Sequence, residues 1–388
     1  MMNRSCTRLG AITLLAGLSV RPSVCDAQSD SILVGALQRS YLLRLPSAYD
    51  GVDPLPLVIA MHGGFGSGAQ LEQQSQLSAK AEDEGFIVVY PDGVASNLGI
   101  RTWNAGGCCG YAMNNGIDDV GFINALLDSL LTTYAIDGQR VYATGMSNGG
   151  FMSYRLACEL SERIAAIAPV SASMTIDVCQ PDRPMPVLGM HSYLDESVPY
   201  LGGIGTGVSD HYNSPQDSVQ TAFALHADCS VLNDTVQNDA DLTLVRWHGC
   251  DCGHEMLLYM THDGGHSWPG GLQTGGFADP PSQVIDANDL MWDFFQQYTL
   301  DCTDLALPDA APLPLVLAPN PADEHVSITG GGEGPIRITD MQGRMVLFRE
   351  VHGSNAVRLD VTSLAAGLYT VRVADILGTR TSSLLIVR

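Results

Sequence analysis

The sequence predicts an α/β fold, a mostly parallel sheet with helices on both faces, followed by a small antiparallel β-sandwich. From about residue 39 to 300, short apolar runs alternate with amphipathic ones, a pattern typical of parallel strands joined by helices. From residue 315 the apolar runs are all short and are separated by turn residues, as in small antiparallel domains. Charge divides the chain in the same way, because residues 28–314 hold 34 acidic and nine basic residues whereas residues 315–388 hold seven of each.

The chain as a whole is strongly acidic. Its 388 residues include 42 acidic and 19 basic ones, which gives a net charge of −23. Nucleic acids and anionic membranes are bound through clusters of lysine and arginine, and this chain contains a single lysine. We therefore expect no nucleic-acid partner, and a neutral rather than a polyanionic substrate.

Residues 1–27 are typical of a cleavable export signal. Two arginines precede an apolar run over residues 9–20, which is too short for a spanning helix of about 20 residues, and Ala27 ends a cleavage site. A lipid anchor on Cys25 is the alternative, but Val24 is bulkier than the residue expected before a lipidated cysteine. No later stretch is long and apolar enough to span a bilayer. We expect a secreted or cell-surface protein that reaches its destination through the periplasm.

Export changes how the cysteines are interpreted. Beyond residue 27 there are eight, an even number that favours disulfide bonds in an oxidising compartment without fixing their pairing. The run Cys250-Asp-Cys252-Gly-His254, with His262 nearby, offers a metal site as the alternative. Zinc sites use wider cysteine spacings, so we favour disulfides and expect no metal. The eight are Cys108, Cys109, Cys158, Cys179, Cys229, Cys250, Cys252 and Cys302.

The elements of the middle segment follow from these runs. The predicted strands are Leu55–Met61, Phe86–Tyr90, Arg140–Thr144, Ile164–Val170, Pro186–Met190 and Glu255–Thr261. The predicted helices are Gln70–Glu84, Asp119–Tyr134, Phe151–Leu160 and Val284–Tyr298. Asp118 or Asp119 can cap the second of these helices at its N-terminus.

A G-x-S-x-G sequence at residues 145–149 lies between a predicted strand and a predicted helix. In that context the motif forms a sharp turn in which Gly145 and Gly149 let backbones pass closely while Ser147 sits at the tip. The motif alone could be an ordinary glycine-rich turn, but the flanking strand and helix favour a nucleophilic serine. The helix that follows directs its N-terminal N–H groups toward a developing oxyanion.

A serine nucleophile needs a base and an acid, which follow it in the order Asp, His in this kind of fold. Asp195 follows the predicted strand Pro186–Met190, and His266 follows the predicted strand Glu255–Thr261 in a glycine-rich loop. Ends of parallel strands meet at one sheet edge, so both side chains should converge on Ser147. The rival candidates are Glu196, Asp210, His211, His254 and His262.

The oxyanion hole needs a second N–H group besides that of the residue after the serine. The strand that ends at Met61 leads into His62-Gly63-Gly64, as in hydrolases that use an H-G-G loop. We assign the N–H groups of Gly64 and Asn148, with Gly63 as the alternative to Gly64.

Together these segments resemble the family of secreted esterases that includes single-domain polyhydroxybutyrate depolymerases and feruloyl or acetylxylan esterases. The resemblance covers about residues 31–300 and implies an α/β-hydrolase fold with Ser147 as nucleophile, Asp195 as acid and His266 as base. It also implies that Trp103 and Trp268 lie near the active-site mouth, where we expect them to bind substrate. One departure is His191-Ser192, where the family usually has His-Gly. The segments are His62–Gly64, Tyr90–Gly93, Trp103–Gly110, Asp118–Phe122, Gly145–Gly150 and Gly265–Gly270.

The last segment begins after a proline- and alanine-rich linker at residues 303–314. Its short runs at residues 326–328, 336–339, 345–348, 357–360, 368–373 and 384–387 predict the strands of the sandwich. The phrases at Ala318–Ala322, Asp340–Arg344 and Leu364–Tyr369 resemble the C-terminal sorting domain of type IX secretion substrates. The resemblance implies the type IX secretion machinery as a partner. A carbohydrate-binding module is the alternative, disfavoured by the lack of an aromatic row.

The predicted organisation is a signal peptide at 1–27, an esterase domain at 28–302, the linker at 303–314 and the sorting domain at 315–388. The predicted function is hydrolysis of carboxylic esters through an acyl-enzyme on Ser147, without a cofactor, by a monomer. Feruloylated xylan, acetylated xylan and polyhydroxybutyrate are the candidate substrates. A catalytically inactive surface adhesion protein and a hydrolase of other polyesters are the alternatives.

Overall fold

The computed structural model describes residues 28–206, 211–274, 279–301, 315–329, 334–340, 345–351, 356–375 and 378–387. The predicted export signal and the predicted linker therefore lie outside the described residues. The chain divides into two compact units on either side of Leu305. In the described part of the chain, no helix combines the length and the apolarity needed to cross a membrane.

The described part of the first unit alternates strands with helices. Its strands are β1 (Gln28–Val34), β2 (Leu37–Arg44), β3 (Leu55–Met61), β4 (Ile87–Pro91), β5 (Val94–Ala95), β6 (Arg101–Thr102), β7 (Ile136–Met146), β8 (Ala166–Val170), β9 (Val187–Ser192), β10 (Gly203–Ile204), β11 (Tyr212–Asn213), β12 (Val231–Asn238), β13 (Leu242–His248) and β14 (Met256–Thr261). Its helices are α1 (Gly68–Ser75), α2 (Leu77–Glu84), α3 (Gly110–Asn114), α4 (Asp119–Thr133), α5 (Asn148–Glu159), α6 (Gln216–His226) and α7 (Ala287–Phe295).

Ten of these strands form one sheet in the order β1-β2-β4-β3-β7-β8-β9-β14-β13-β12. The six central strands, from β4 to β14, run parallel, and an antiparallel pair flanks them at each edge. Strand β3 is buried on both faces, with Leu57, Ile59 and Met61 in one core and Val58 and Ala60 in the other. Helices cover both faces, as the alternating pattern predicts.

One predicted helix is broken. Residues 70–84 were expected to form a single helix, but α1 ends at Ser75 and α2 begins at Leu77. Between them Gln76 has the left-handed backbone (φ 57°), which an α-helix cannot continue through. Asn288 donates a hydrogen bond to the freed carbonyl of Ser75 at 2.7 Å. The break therefore depends on a tertiary contact that local periodicity does not contain.

Three of the described helix starts have side-chain caps, and at α1 the cap is Ser67, which accepts from Gln70 N–H at 3.2 Å. Asp118 accepts a hydrogen bond from Gly121 N–H at 2.8 Å at the start of α4, as predicted. Helix α7 begins later than expected because Asp286 caps it, accepting from the N–H groups of Asn288 and Asp289. The edge pairs β1–β2 and β12–β13 have no counterpart among the predicted strands.

The second unit is a β-sandwich, as the sequence predicts. Its two antiparallel sheets enclose one core that includes Val326 and Leu359 from the first sheet and Ile338 and Val371 from the second. The sheets are β15-β16-β19 and β18-β17-β20-β21. Their strands are β15 (Val316–Ala318), β16 (His325–Thr329), β17 (Gly334–Asp340), β18 (Met345–Val351), β19 (Ala356–Asp360), β20 (Gly367–Asp375) and β21 (Gly378–Ile386).

Candidate active site

Ser147 occupies the sharp turn between β7 and α5. Its φ of 53° lies in the left-handed region, which costs a non-glycine residue about 1–2 kcal/mol and is held by the packing around it. A Cβ at Gly149 would overlap the carbonyl of Met61, and one at Gly145 would lie 2.6 Å from the Gly149 oxygen. Only glycine fits at both positions. The motif requires the two glycines because three backbone segments lie in contact around the serine.

Asp195 and His266 are joined by a hydrogen bond of 2.8 Å between Asp195 Oδ2 and His266 Nδ1. The Asp195 side chain is buried in the loop after β9, and its Oδ1 accepts from the N–H groups of Ser197 (2.9 Å) and Val198 (2.8 Å). Burial by itself would raise the pKa of Asp195, but the hydrogen bond and charge of His266 with the other donors outweigh it, and the pKa is lowered. The carboxylate therefore stays ionised and holds the imidazole.

His191, which precedes the departure from the family pattern at Ser192, lies beside this pair. Its Nε2 is 2.7 Å from the Val198 carbonyl and 3.5 Å from Asp195 Oδ2. Burial lowers the pKa of His191, so the ring is neutral and Nε2–H donates to Val198. This contact closes the turn that carries Asp195, a role that the sequence analysis did not assign.

Ser147 and His266 line one cavity of about 220 Å³. No direct hydrogen bond joins the two side chains within the described residues, and such bonds often tighten only when substrate binds. The other lining residues are Gly63, Gly64, Gln70, Gln74, Met146, Ser197, Thr274 and Asp279. The cavity thus brings the expected nucleophile, base and oxyanion loop together, with a lining that is mostly polar.

The H-G-G loop offers free N–H groups at this cavity. The N–H groups of Phe65 and Gly66 are used within the protein, since they donate to Arg101 and Gly63 carbonyls at 3.0 and 3.1 Å. Among the described residues, no acceptor is bonded to the N–H groups of Gly64 and Asn148, and Gly64 lines the cavity. These two N–H groups are available for an oxyanion, as is that of Gly63, which also lines the cavity and has no bonded acceptor among the described residues.

His62 anchors the start of this loop. Its Nε2 accepts from Gly93 N–H at 3.0 Å, so Nδ1 carries the proton and donates to the Gly63 carbonyl at 2.7 Å. Burial lowers the pKa of His62 to about 4, and the ring is therefore neutral in the folded protein. The neutral ring ties two loops together through its two nitrogens.

The expectation that Trp103 and Trp268 bind substrate is wrong. Both side chains are buried, at 0% and 1% exposure, and neither lines the cavity. The Trp103 indole N–H donates to His62 O at 2.9 Å, and that of Trp268 donates to Asn288 Oδ1 at 3.1 Å. Loop-forming neighbours suggested exposure, but both rings fill the cores beneath the site.

The rival acid and base candidates lie in other contacts. His262 Nε2 is 3.1 Å from the Thr243 hydroxyl, His211 Nε2 is 3.0 Å from Asn213 Oδ1, and His254 packs against the Tyr298 ring. Glu196 is exposed and lines no described cavity. Asp210 lies outside the described residues.

The cysteines form disulfides rather than the metal site considered at Cys250–His254. The pairs are Cys108–Cys109, Cys158–Cys179 and Cys229–Cys250, and Cys252 is also disulfide-bonded. In the described part of the chain, Cys108, Cys109 and His211 are close enough to share a metal ion. The disulfide uses both sulfurs of that set, so the group does not favour a metal.

Asp279 is a cavity residue that the sequence analysis missed. Its Oδ2 accepts a hydrogen bond of 2.7 Å from the backbone N–H of His266. Gly265 makes room for it, because a Cβ there would lie 2.5 Å from the same carboxylate oxygen. A lone aspartate in a loop carries no sequence signal, so only the tertiary contact with the His266 backbone reveals it.

Two family models match the chain. The model described as Esterase PHB depolymerase matches residues 39–226, and the model described as Secretion system C-terminal sorting domain matches residues 316–387. Both resemblances expected from the sequence are therefore confirmed. A sorting domain of this kind indicates a secreted or cell-surface location.

Curated relatives are esterases by name. "Feruloyl esterase B" of Piromyces equi is 28% identical over 270 residues, covering 68% of this chain and 46% of the relative. "Bifunctional acetylxylan esterase/xylanase XynS20E" of Neocallimastix patriciarum is 27% identical over 248 residues, covering 63% of this chain and 31% of the relative. The chain thus spans less than half the length of these two relatives.

A solved structure shares the fold. "Acetyl xylan esterase from Aspergillus awamori" aligns with a TM-score of 0.50 at 16% identity, covering 70% of this chain and 99% of that chain. An α/β-hydrolase fold is therefore confirmed for the first unit. The chain carries an Esterase PHB depolymerase domain at residues 39–226 and a Secretion system C-terminal sorting domain at residues 316–387.

Proposed function

We propose that the chain is a secreted serine esterase that hydrolyses carboxylic esters through a covalent acyl-enzyme. The observation that carries the proposal is the 2.8 Å bond from the buried Asp195 to His266, which faces the same cavity as Ser147. This is the arrangement of a nucleophile, a base and an acid that orients the base.

The mechanism assigns each group one task. His266 takes the proton of Ser147 as the hydroxyl oxygen attacks the ester carbonyl, and Asp195 stabilises the imidazolium that forms. The N–H groups of Gly64 and Asn148 bind the oxyanion of the tetrahedral intermediate. His266 returns the proton to the leaving alcohol, and a water activated by the same ring then releases the acid.

The proposed substrate is a neutral polymer that carries ester groups. Relatives named for feruloyl and acetylxylan ester hydrolysis support feruloylated or acetylated xylan, and the matched family model supports polyhydroxybutyrate. The polar lining, with Gln70, Gln74 and Thr274, suits a hydroxyl-rich alcohol such as a sugar. Asp279 adds a negative charge beside the site, which disfavours anionic esters.

The proposed organisation keeps four segments, with a signal peptide at 1–27, the esterase domain at 28–302, a linker at 303–314 and the sorting domain at 315–388. The sorting domain would bring the type IX secretion machinery as a partner. We propose that the enzyme acts as a monomer.

Hydrolysis of p-nitrophenyl acetate by the purified full chain tests the proposal. Wild type and the control Ser230→Ala, an exposed serine outside the cavity, should be active, whereas Ser147→Ala should lose at least about 10³-fold in kcat. An inactive wild type would favour the adhesion alternative, and equal activity in Ser147→Ala would remove the assigned mechanism. Acid release from acetylated xylan, feruloylated xylan and polyhydroxybutyrate would then identify the substrate.

A further inference from the structure

We infer that Trp103 is a positioning residue for the oxyanion hole, because it bridges the two chain segments that carry the assigned N–H donors. The inference rests on the proposed function. It gives the buried tryptophan a role in the reaction without any contact with substrate.

The first contact holds the start of α5. The backbone N–H of Trp103 donates to Asn148 Oδ1 at 2.7 Å, and Asn148 Nδ2 donates to the Trp103 carbonyl at 3.0 Å. A side-chain amide bonded at both ends to one residue's backbone has a fixed plane and a fixed distance. Both residues are buried, so water does not compete for these bonds. The residue whose N–H faces the oxyanion is thus held by its own side chain.

The second contact holds the H-G-G loop. The Trp103 indole N–H donates to the carbonyl of His62 at 2.9 Å, and the His62 ring in turn bonds Gly63 and Gly93. The carbonyl that Trp103 holds lies two residues before Gly64. The indole ring is rigid, so one residue sets the separation between the Gly64 segment and the Asn148 segment.

Trp103 is itself fixed from a third side. The next residue, Asn104, donates its N–H to Asp119 Oδ2 at 2.8 Å, and the other oxygen of Asp119 accepts from Arg39 at 2.7 Å. Both members of this ion pair are buried, and the Arg39 guanidinium lies 3.9 Å from the Phe122 ring centroid. A buried, fully bonded pair resists displacement, because separating it leaves uncompensated charge. The bridge therefore has a rigid support.

Two oxyanion donors work only if both reach the same oxygen at about 2.7–3.1 Å. A shift of about 1 Å in one donor can cost about 100-fold in rate, even when the change lies away from the chemistry. Loss of the bridge should therefore reduce stabilisation of the transition state more than binding of the substrate.

The chain offers a matched control for this effect. Trp247 on β13 is also fully buried, and its indole N–H donates to the Thr221 hydroxyl at 3.0 Å. In the described residues, its hydrogen bonds involve neither the H-G-G loop nor Asn148. Trp103→Phe and Trp247→Phe each remove one indole N–H and leave a similar small void. The two variants should lose similar stability, so any difference in catalysis reports on the oxyanion hole.

The test compares steady-state hydrolysis of p-nitrophenyl acetate by the full chain and these two variants. Trp103→Phe should lose at least about tenfold in kcat with KM within about twofold, whereas Trp247→Phe should keep kcat within about twofold. Affinity for a trifluoromethyl ketone, whose adduct with a nucleophilic serine bears an oxyanion, should fall in parallel with kcat. Asn148→Ala removes the other contact of the bridge, the bonds between its side-chain amide and the Trp103 backbone, and should also lower kcat with little change in KM.

Unchanged kcat in Trp103→Phe, or equal losses in the two tryptophan variants, would overturn the inference while leaving the esterase activity of the wild type intact. An inactive wild type would instead remove the proposed function. Should Trp103→Phe fail to fold, Asn148→Ala decides the matter through the same split between kcat and KM.

Discussion

Acidification from pH 7 to pH 5 should destabilise the first unit, because two of its buried histidines are neutral when folded. Burial lowers the pKa of both His62 and His254 from 6.5 to about 4. Below pH 6.5 these histidines therefore become protonated in the unfolded chain while they stay neutral in the folded chain. The stability that these groups confer is complete above pH 6.5 and is lost as the pH falls toward 4. His191, whose pKa burial also lowers, acts in the same direction.

The size of the effect follows from the two pKa values. Complete loss corresponds to about 3 kcal/mol for each histidine, and at pH 5 the loss is about 2 kcal/mol each. His62 and His254 together should reduce the free energy of unfolding by about 4 kcal/mol between pH 7 and pH 5. Asp195, whose pKa is lowered, titrates below this window. Burial raises the pKa of Asp119, so a proton that it takes up on acidification acts in the opposite direction to the histidines.

Urea denaturation followed by tryptophan fluorescence is the assay. All four tryptophans, Trp103, Trp247, Trp268 and Trp292, belong to the first unit, so the signal reports on that unit alone. The control is His254→Gln, which keeps a polar side chain without a titrating group and should remove about half of the loss. A free energy of unfolding that stays flat between pH 7 and pH 5 would refute the reasoning. An unchanged loss in His254→Gln would refute the assignment to His254.

Three further predictions concern the site. Asp195→Asn should lower kcat by about 10³- to 10⁴-fold with little change in the free energy of unfolding, measured by ester hydrolysis and urea denaturation; retained kcat would exclude Asp195 as the acid. Phe65, with a φ of 68°, is strained, so Phe65→Gly should be about 1 kcal/mol more stable than Phe65→Ala in thermal denaturation, and equal stability would contradict this. Gly149→Ala should disrupt the serine turn, because its Cβ would overlap the Met61 carbonyl; a normal melting temperature with full activity would show that the turn can relax.

Local sequence patterns predicted much of the fold. Strands such as β3 are continuous apolar runs because both faces of a parallel sheet are covered, and that requirement is visible in the sequence itself. The prediction of a single helix over residues 70–84 was wrong because the deciding contact is not local in the sequence. Its periodicity is helical, but Gln76 is left-handed, and the Ser75 carbonyl freed by the break is bonded by Asn288, more than 200 residues later in the chain.

The site shows the same difference between features that depend on local sequence and features that depend on tertiary contacts. Ser147 at a strand–helix turn, and the chain order of Asp195 and His266, could be read from the sequence because glycine spacing and strand ends are local signals. Asp279 could not, because its role depends on one hydrogen bond to the His266 backbone. The polar character of the cavity was equally hidden, since Gln70 and Thr274 meet there from distant segments.

Trp103 is the clearest example of a residue whose role could not be predicted from the sequence. By itself the sequence determined the order of strands and helices, the serine turn and the acidic character of the first unit, because those depend on neighbouring residues and on composition. Only the tertiary structure decided whether the indole faced a substrate or the core. That choice depends on the burial and on the hydrogen-bond partners supplied by His62 and Asn148, residues about 40 positions away on either side of Trp103.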